Sequence, residues 1–347
     1  MSQEILLEEV NPFGNLQAVV EVTEGVIYMY LWSDEETNFS TKTVWVRNLA
    51  PAPVELDVNA MKEGSPPLNP ASSCRHPQGM APPNAEDLSV VWLPEGNGVA
   101  LLEAHEILAI IPPWGGRKGF EGYARDQVGQ GPLAWELLPD NVLLQRFADA
   151  QSYWDAWSDD DFWVSTRDPL MKQVEEVFGA HSNYYAIDGG QWPPKALLRI
   201  TTDQATILVT IGVSLVPQPN VELSTDTPEP YRRVELGAIL PLAWSDEEVM
   251  KFAANLSGNS THPWQSYTWL GPGHTITFPA WRNPEFDSAL LVHDHPQCKQ
   301  CPVGPVLGDP VNILWYLPIT RQERELATEQ GSKSLLEQLP ADRWMAS

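Results

Sequence analysis

The chain has 347 residues, 43% of them hydrophobic, which is enough to bury the cores of two ordinary domains or one large one. Forty-six Asp and Glu stand against 21 Lys and Arg, and the resulting net charge of −25 repels phosphate backbones and anionic lipid heads, so nucleic acid and membrane surfaces are disfavoured as partners. Residues 1–9 lack the basic and apolar regions of a signal peptide, no apolar run reaches the about 20 residues of a membrane span, and the three cysteines, an odd number, point to a reducing cytoplasm instead of a disulfide framework.

Charge divides the chain unevenly. Residues 1–165 hold 25 acids and 8 bases, whereas residues 166–347 hold 21 and 13. The first stretch reads as an acidic, β-rich domain. Residues 17–32 (QAVVEVTEGVIYMYLW) alternate as two strands joined at Thr23-Glu24-Gly25. Residues 43–47 and 88–93 are short β-branched and aromatic strands, and the eight prolines between 51 and 83 predict a long surface connection. Residues 99–102 and 107–111 bracket a second hairpin. Asp140 or Asn141 then opens a helical stretch with apolar residues at Leu144, Phe147, Ala148 and Trp154.

From residue 166 the pattern is that of a second, α+β domain. Asp168 has N-cap chemistry, Pro169 suits a first helical position, and Gly179 follows the last apolar residue, Phe178. Residues 196–201 and 205–216 predict a hairpin, and residues 233–240 another strand. Ser245 and Glu248 make a capping box for a helix to about Leu256, and Thr320 and Glu323 make a second one for a last helix that Gly331 interrupts. Residues 275–278 and 312–319 complete the strands. With no regular βαβ period and no repeat, the fold class is α+β, with mixed, mostly antiparallel sheets, a few flanking helices and two packed domains.

Four potential zinc ligands, His293, His295, Cys298 and Cys301, lie within nine residues. Imidazole and thiolate suit that ion, so a zinc-binding hydrolase is one reading. A polar loop with free thiols is the other, because structural sites draw ligands from two separated knuckles. Neither a Gly-x-Ser-x-Gly nor a phosphate-binding glycine pattern occurs, and residues 115–122 (GGRKGFEG) read as a structural turn. Cys74 and His76 are no evidence of a catalytic pair, Asp159-Asp160-Asp161 lacks the alternating ligands of a calcium loop, and no two of the 46 acids stand out as a glycosidase pair. Local chemistry reveals no enzyme and requires no cofactor.

Several ordered pieces of the second half carry a resemblance. Residues 234–241 (VELGAILP) precede a helix at 246–255. The stretch Tyr267-Thr268-Trp269-Leu270-Gly271-Pro272-Gly273-His274 follows, then Ala289-Leu290-Leu291, and finally Asn312-Ile313-Leu314-Trp315-Tyr316-Leu317-Pro318-Ile319 leading into Glu323-Arg324-Glu325-Leu326. In order and spacing this half is similar to the suppressor of fused family, and the first half looks like the extension found in longer bacterial members. The resemblance implies a non-enzymatic protein- or peptide-binding module. Animal members hold Gli transcription factors in the cytoplasm through a peptide added as a strand between two domains, and bacterial relatives are associated with toxin systems as immunity proteins. A basic toxin domain is therefore an expected partner, with the protein cytoplasmic. Where the animal family has an acidic residue before the histidine, this sequence has Gly273, and the family tyrosine of the preceding helix has no counterpart near Ala254-Asn255-Leu256. Tyr267, Trp269, Gly273, His274 and Trp315 are the candidate partner-binding residues. The aromatic ones suit a groove and a core alike, and His274 suits either a contact or an imidazole satisfied by backbone.

Overall fold

The computed structural model describes residues 4–33, 39–294 and 303–346. The chain divides into two compact units, the first formed by Met1–Ser158 with Gln265–Tyr267 and the second by Asp159–Trp264 with Thr268–Ser347.

In unit 1, β1 (Glu4–Val10), β2 (Gln17–Thr23), β3 (Val26–Trp32) and β4 (Lys42–Asn48) form an antiparallel sheet in that order. The turn between β2 and β3 is a two-residue loop with φ of +51° at Glu24 and +87° at Gly25, the left-handed pair whose twist matches that of the strands. After the short α1 (Val58–Lys62), which interrupts the proline-rich connection, a second sheet runs in the order β5 (Leu88–Trp92), β6 (Val99–Glu103), β7 (Glu106–Ile111), β8 (Tyr123–Ala124) and β9 (Trp135–Glu136). Its β6–β7 turn repeats the same geometry with Ala104 and His105, non-glycine residues at positive φ, which the sheet pairing on both sides holds in place. One core joins the two sheets through residues such as Val20, Met29 and Trp45 from the first and Leu101, Ala109 and Ile111 from the second. Helix α2 (Val142–Ala156) starts where expected: the Asn141 side chain accepts from the Leu143 N–H, and Leu143, Phe147 and Ala150 pack on Val91, Leu93 and Ile110.

Unit 2 begins with α3 (Phe162–Phe178), and here the structure corrects the expectation of a helix starting at Asp168. Asp161 occupies the N-cap position and Pro169 lies inside the helix. The segment before Pro169 is long enough to continue the helix upstream, with Ser165 and Thr166 hydroxyls bonding back to the Phe162 carbonyl. Local turn chemistry at Asp168-Pro169 was outweighed by helical propagation through the aromatic and apolar residues before it.

The remaining elements are β10 (Asn183–Ala186), β11 (Ala196–Thr201), β12 (Ala205–Ile211), β13 (Arg233–Pro241), α4 (Asp246–Asn259), α5 (His262–Gln265), β14 (Thr275–Thr277), β15 (Ser288–Val292), β16 (Val303–Val306), β17 (Asp309–Ile319), α6 (Arg321–Gln330) and α7 (Ser332–Gln338). Their sheet has the order β10-β11-β12-β13-β17-β15-β14, with β16 also on β17. It is antiparallel except where β13 and β17 run parallel, so the fold is α+β with a mixed sheet. Both capping boxes are formed, at Ser245 and at Thr320, and Gly331 ends α6.

Alternation along β17 shows how both faces of this sheet are covered. Tyr316 belongs to the core that α4 closes with Val249, Phe252 and Leu256, whereas its neighbour Trp315 points to the opposite face and meets Phe178 of α3 edge-on at 5.7 Å. The Trp315 indole also lies over Gly237, its register partner on β13, where a Cβ would sit 2.7 Å from the ring. That close approach explains the glycine inside an otherwise apolar strand. The predicted strand 205–216 stops at Ile211 because Gly212 turns at φ +98° into a 3-10 turn over Val213–Leu215.

Candidate functional site

Residues 268–276, which lead into β14, wall a hollow of unit 2. Gln218 fixes its wall: the buried amide donates to the Leu270 carbonyl and accepts from the Leu270 N–H, both at 2.9 Å. The chain then turns through Gly271-Pro272-Gly273. Gly273 has φ +89°, its carbonyl accepts from the Ser332 hydroxyl, and a Cβ there would lie 2.9 Å from that oxygen. Both observations explain the glycine at this position.

His274 closes the turn. Its Nδ1 is 3.2 Å from the Trp269 carbonyl, and because a carbonyl only accepts, Nδ1 carries the proton and the neutral ring keeps Nε2 as an acceptor. The Trp269 and His274 rings meet at 4.4 Å and 64°, and the Tyr231 ring packs on Trp269 at 5.6 Å. Burial lowers the His274 pKa from its usual 6.5, outweighing the opposing hydrogen bond to the Trp269 carbonyl. Trp269, Gly273 and His274, together with Thr275, Ile276 and Thr328, line a cavity of about 310 Å³. Its groups stack, donate and accept; they suit recognition of a side chain.

This cavity adjoins a sheet edge. Among the described residues β14 pairs with β15 alone, through Thr275 with Leu290, Ile276 with Ala289 and Thr277 with Ser288. The Phe278 N–H bonds inward to the Asp287 carbonyl at 2.8 Å, so by the alternation of antiparallel pairing Ile276 also bonds inward and Thr275 and Thr277 present their backbone groups outward. Arg324 of α6 donates to the Thr277 hydroxyl, a side-chain contact that takes none of the outward backbone groups of the strand.

Beneath the sheet lies a polar network that sequence reasoning missed. Glu235 of β13 is fully buried and accepts from the Thr210 hydroxyl at 2.6 Å, the Gly212 N–H at 2.8 Å, and the Ser214 hydroxyl and N–H at 2.7 and 3.1 Å. Burial pushes its carboxyl up to about 7 even against these donors. Arg233 extends the network to the carbonyls of Ser214 and Leu215 and to Asp309. The one legible signal was an acid inside the apolar run VELGAILP. For Gln218 there was none.

The candidate residues are distributed as follows. Trp269, Gly273 and His274 share the cavity. Trp315 is 2% exposed and packs on Gly237 and Phe178. Tyr267 groups with unit 1, its ring 5.1 Å from Phe39. Of the four potential zinc ligands, His295, Cys298 and Cys301 lie outside the described residues; His293 follows β15, and its Nδ1 is buried without a hydrogen-bond partner among the described residues. No cluster of three metal-ligating side chains occurs among the described residues. Cys74 is a buried free thiol whose pKa burial and the nearby Asp126 push up to about 11, unlike a nucleophile. Among the described residues no helix is long and apolar enough to cross a membrane.

No curated protein matches. A solved structure described as the Sufu-Fu complex is similar at 14% identity, with 52% of this chain and 87% of that one covered and a TM-score of 0.38. A structure of Drosophila Suppressor of Fused is similar at 14% identity and a TM-score of 0.34, covering 48% of this chain and 45% of that one. The family model for suppressor of fused protein (SUFU) matches residues 191–345, which span β11 to the last turn and include the whole Trp269–His274 hollow. Residues 191–345 thus make up a SUFU-like domain.

Proposed function

We propose that the protein binds a polypeptide partner, which adds as an extended strand along β14 and seats a side chain in the cavity beside Trp269 and His274. The observation that carries this reading is the adjacency of the outward-facing backbone groups of Thr275 and Thr277 to that cavity. Backbone pairing supplies affinity and the cavity supplies selectivity, which is how strand addition recognises peptides. The SUFU match over residues 191–345 supports a binding role. With a net charge of −25 the protein favours a basic partner, and neutralisation of a basic toxin domain in a bacterial cytoplasm is the specific form of the proposal.

Peptide phage display on the full chain tests it, followed by amide exchange with the enriched peptide. Slower exchange at Thr275 and Thr277, and loss of binding on Thr275→Pro with the thermal transition unchanged, are the expected results. Protection confined to other strands, or full binding by the proline variant, would overturn the reading.

A further inference from the structure

Unit 1 contains a cavity of about 290 Å³ beside its first sheet. Tyr28 and Tyr30, two apart on β3, point to the same side with ring centroids 6.2 Å apart, and Thr43 stands opposite Tyr30 on β4. Two loops wall in this surface. The Tyr28 hydroxyl donates to the Pro67 carbonyl at 2.7 Å, which pins residues 64–67, and the Trp45 N–H donates to the Leu133 carbonyl at 3.1 Å, which pins Pro132 and Leu133 along β4. Met61 and Glu121 complete the lining.

Chemically the enclosure is apolar with an acid in it. Prolines, Leu133, Met61 and two tyrosine rings form its walls, and among the described residues no Lys, Arg or His lines it. Burial alone raises the pKa of the Glu121 carboxyl, with no hydrogen bond or neighbouring charge among the described residues to offset it. Tyr30 is likewise pushed up to about 12, by burial and then by the charge of Glu21, the register partner of Tyr28 on β2. A half-buried, unpaired carboxylate beside electron-rich ring faces favours a cation that arrives with its own apolar stem.

We infer that this cavity binds the side chain of a lysine presented by a polypeptide. The four-carbon stem packs on the proline and leucine walls, and the ammonium meets Glu121 over the tyrosine rings. Lysine is favoured over arginine because its three rotatable N–H donors match one carboxylate and the scattered hydroxyls of Thr43, Ser65 and Tyr30, whereas a planar guanidinium asks for paired in-plane acceptors. The inference rests on unit 1 alone, so it stands or fails apart from the β14 reading.

The test titrates full-length protein carrying ¹³C-methyl methionine with N-acetyl-lysine methylamide and with its arginine and norleucine counterparts. Met61, assigned through Met61→Leu, is the reporter because it lines the cavity. A ligand of this size is expected to saturate the Met61 shift with millimolar affinity, the lysine compound binding about tenfold more tightly than norleucine. Glu121→Gln should abolish that preference while leaving the remaining methionine signals in place. Equal binding of norleucine, tighter binding of arginine, an unchanged preference in Glu121→Gln, or no saturable shift at Met61 would each overturn the inference.

Discussion

Gln218 holds Leu270 at both ends of its peptide polarity, giving a donor to the carbonyl and taking the N–H, each at 2.9 Å. A side chain from a distant loop thus substitutes for the strand partner that the Trp269 segment lacks. Gln218→Ala would strand two buried backbone groups, at a cost of about 2–3 kcal/mol. Urea unfolding should record that loss, and the Trp269 indole N–H resonance should shift in the folded variant. A change below experimental error would mean that water replaces the amide without penalty.

Glu235 predicts an unusual pH dependence. Its folded-state pKa of about 7 lies above the 4.5 of an ordinary glutamate, so between those values the folded chain holds a proton that the unfolded chain has released. Stability contributed by this group is therefore present at low pH, declines as pH rises from about 4.5 to 7 by roughly 3 kcal/mol, and is flat beyond. Glu235→Gln keeps the hydrogen-bonding shape without the charge. Relative to wild type it should be more stable at pH 8 and nearly equal at pH 5, measured by denaturant midpoints at both.

The depressed pKa of His274 has burial as its main cause, and the Trp269 ring is the side chain stacked against it. Trp269→Ala should raise the imidazole pKa toward 6.5, read by NMR titration of the His274 ring protons. In wild type the neutral ring is favoured by folding, so this group costs stability as pH falls through the ordinary histidine range, and the variant should soften that fall. An unchanged titration would show that the backbone, not the indole, shields the ring.

Thr320 caps α6 by accepting from the Glu323 N–H, while the Glu323 carboxylate returns to the Thr320 N–H at 2.8 Å. Thr320→Ala should destabilise unit 2 by about 1 kcal/mol in thermal or chemical unfolding. Replacement by Ser should restore most of it.

What was legible in the sequence follows the range of the interactions. Hairpins at Glu24-Gly25 and Thr202–Gln204 and the capping boxes at Ser245 and Thr320 depend on neighbours a few residues away, and each formed where its residues stand. The start of α3 was misread because Asp168-Pro169 imitates a helix start that the aromatic residues before it override. β1 and β10 have weak local patterns and owe their existence to distant partners, β2 and β11. At the candidate site the motif pointed to Trp269, Gly273 and His274, which do meet, but Gln218 and the outward-facing edge of β14 depend on contacts that no spacing rule encodes.

The strand β17 receives β13 on one side and β15 and β16 on the other, and Arg233 finds its register partner only at Val311. Until residues 309–319 are in place, β13 has an open flank and β15 has only the three-residue β14 to pair with. The SUFU-like half therefore closes a long loop to join β10–β13 to β14 and β15, and a closure of that length slows folding. Shortening the chain from its carboxyl side past Ile319 would remove the keystone and the whole arch with it.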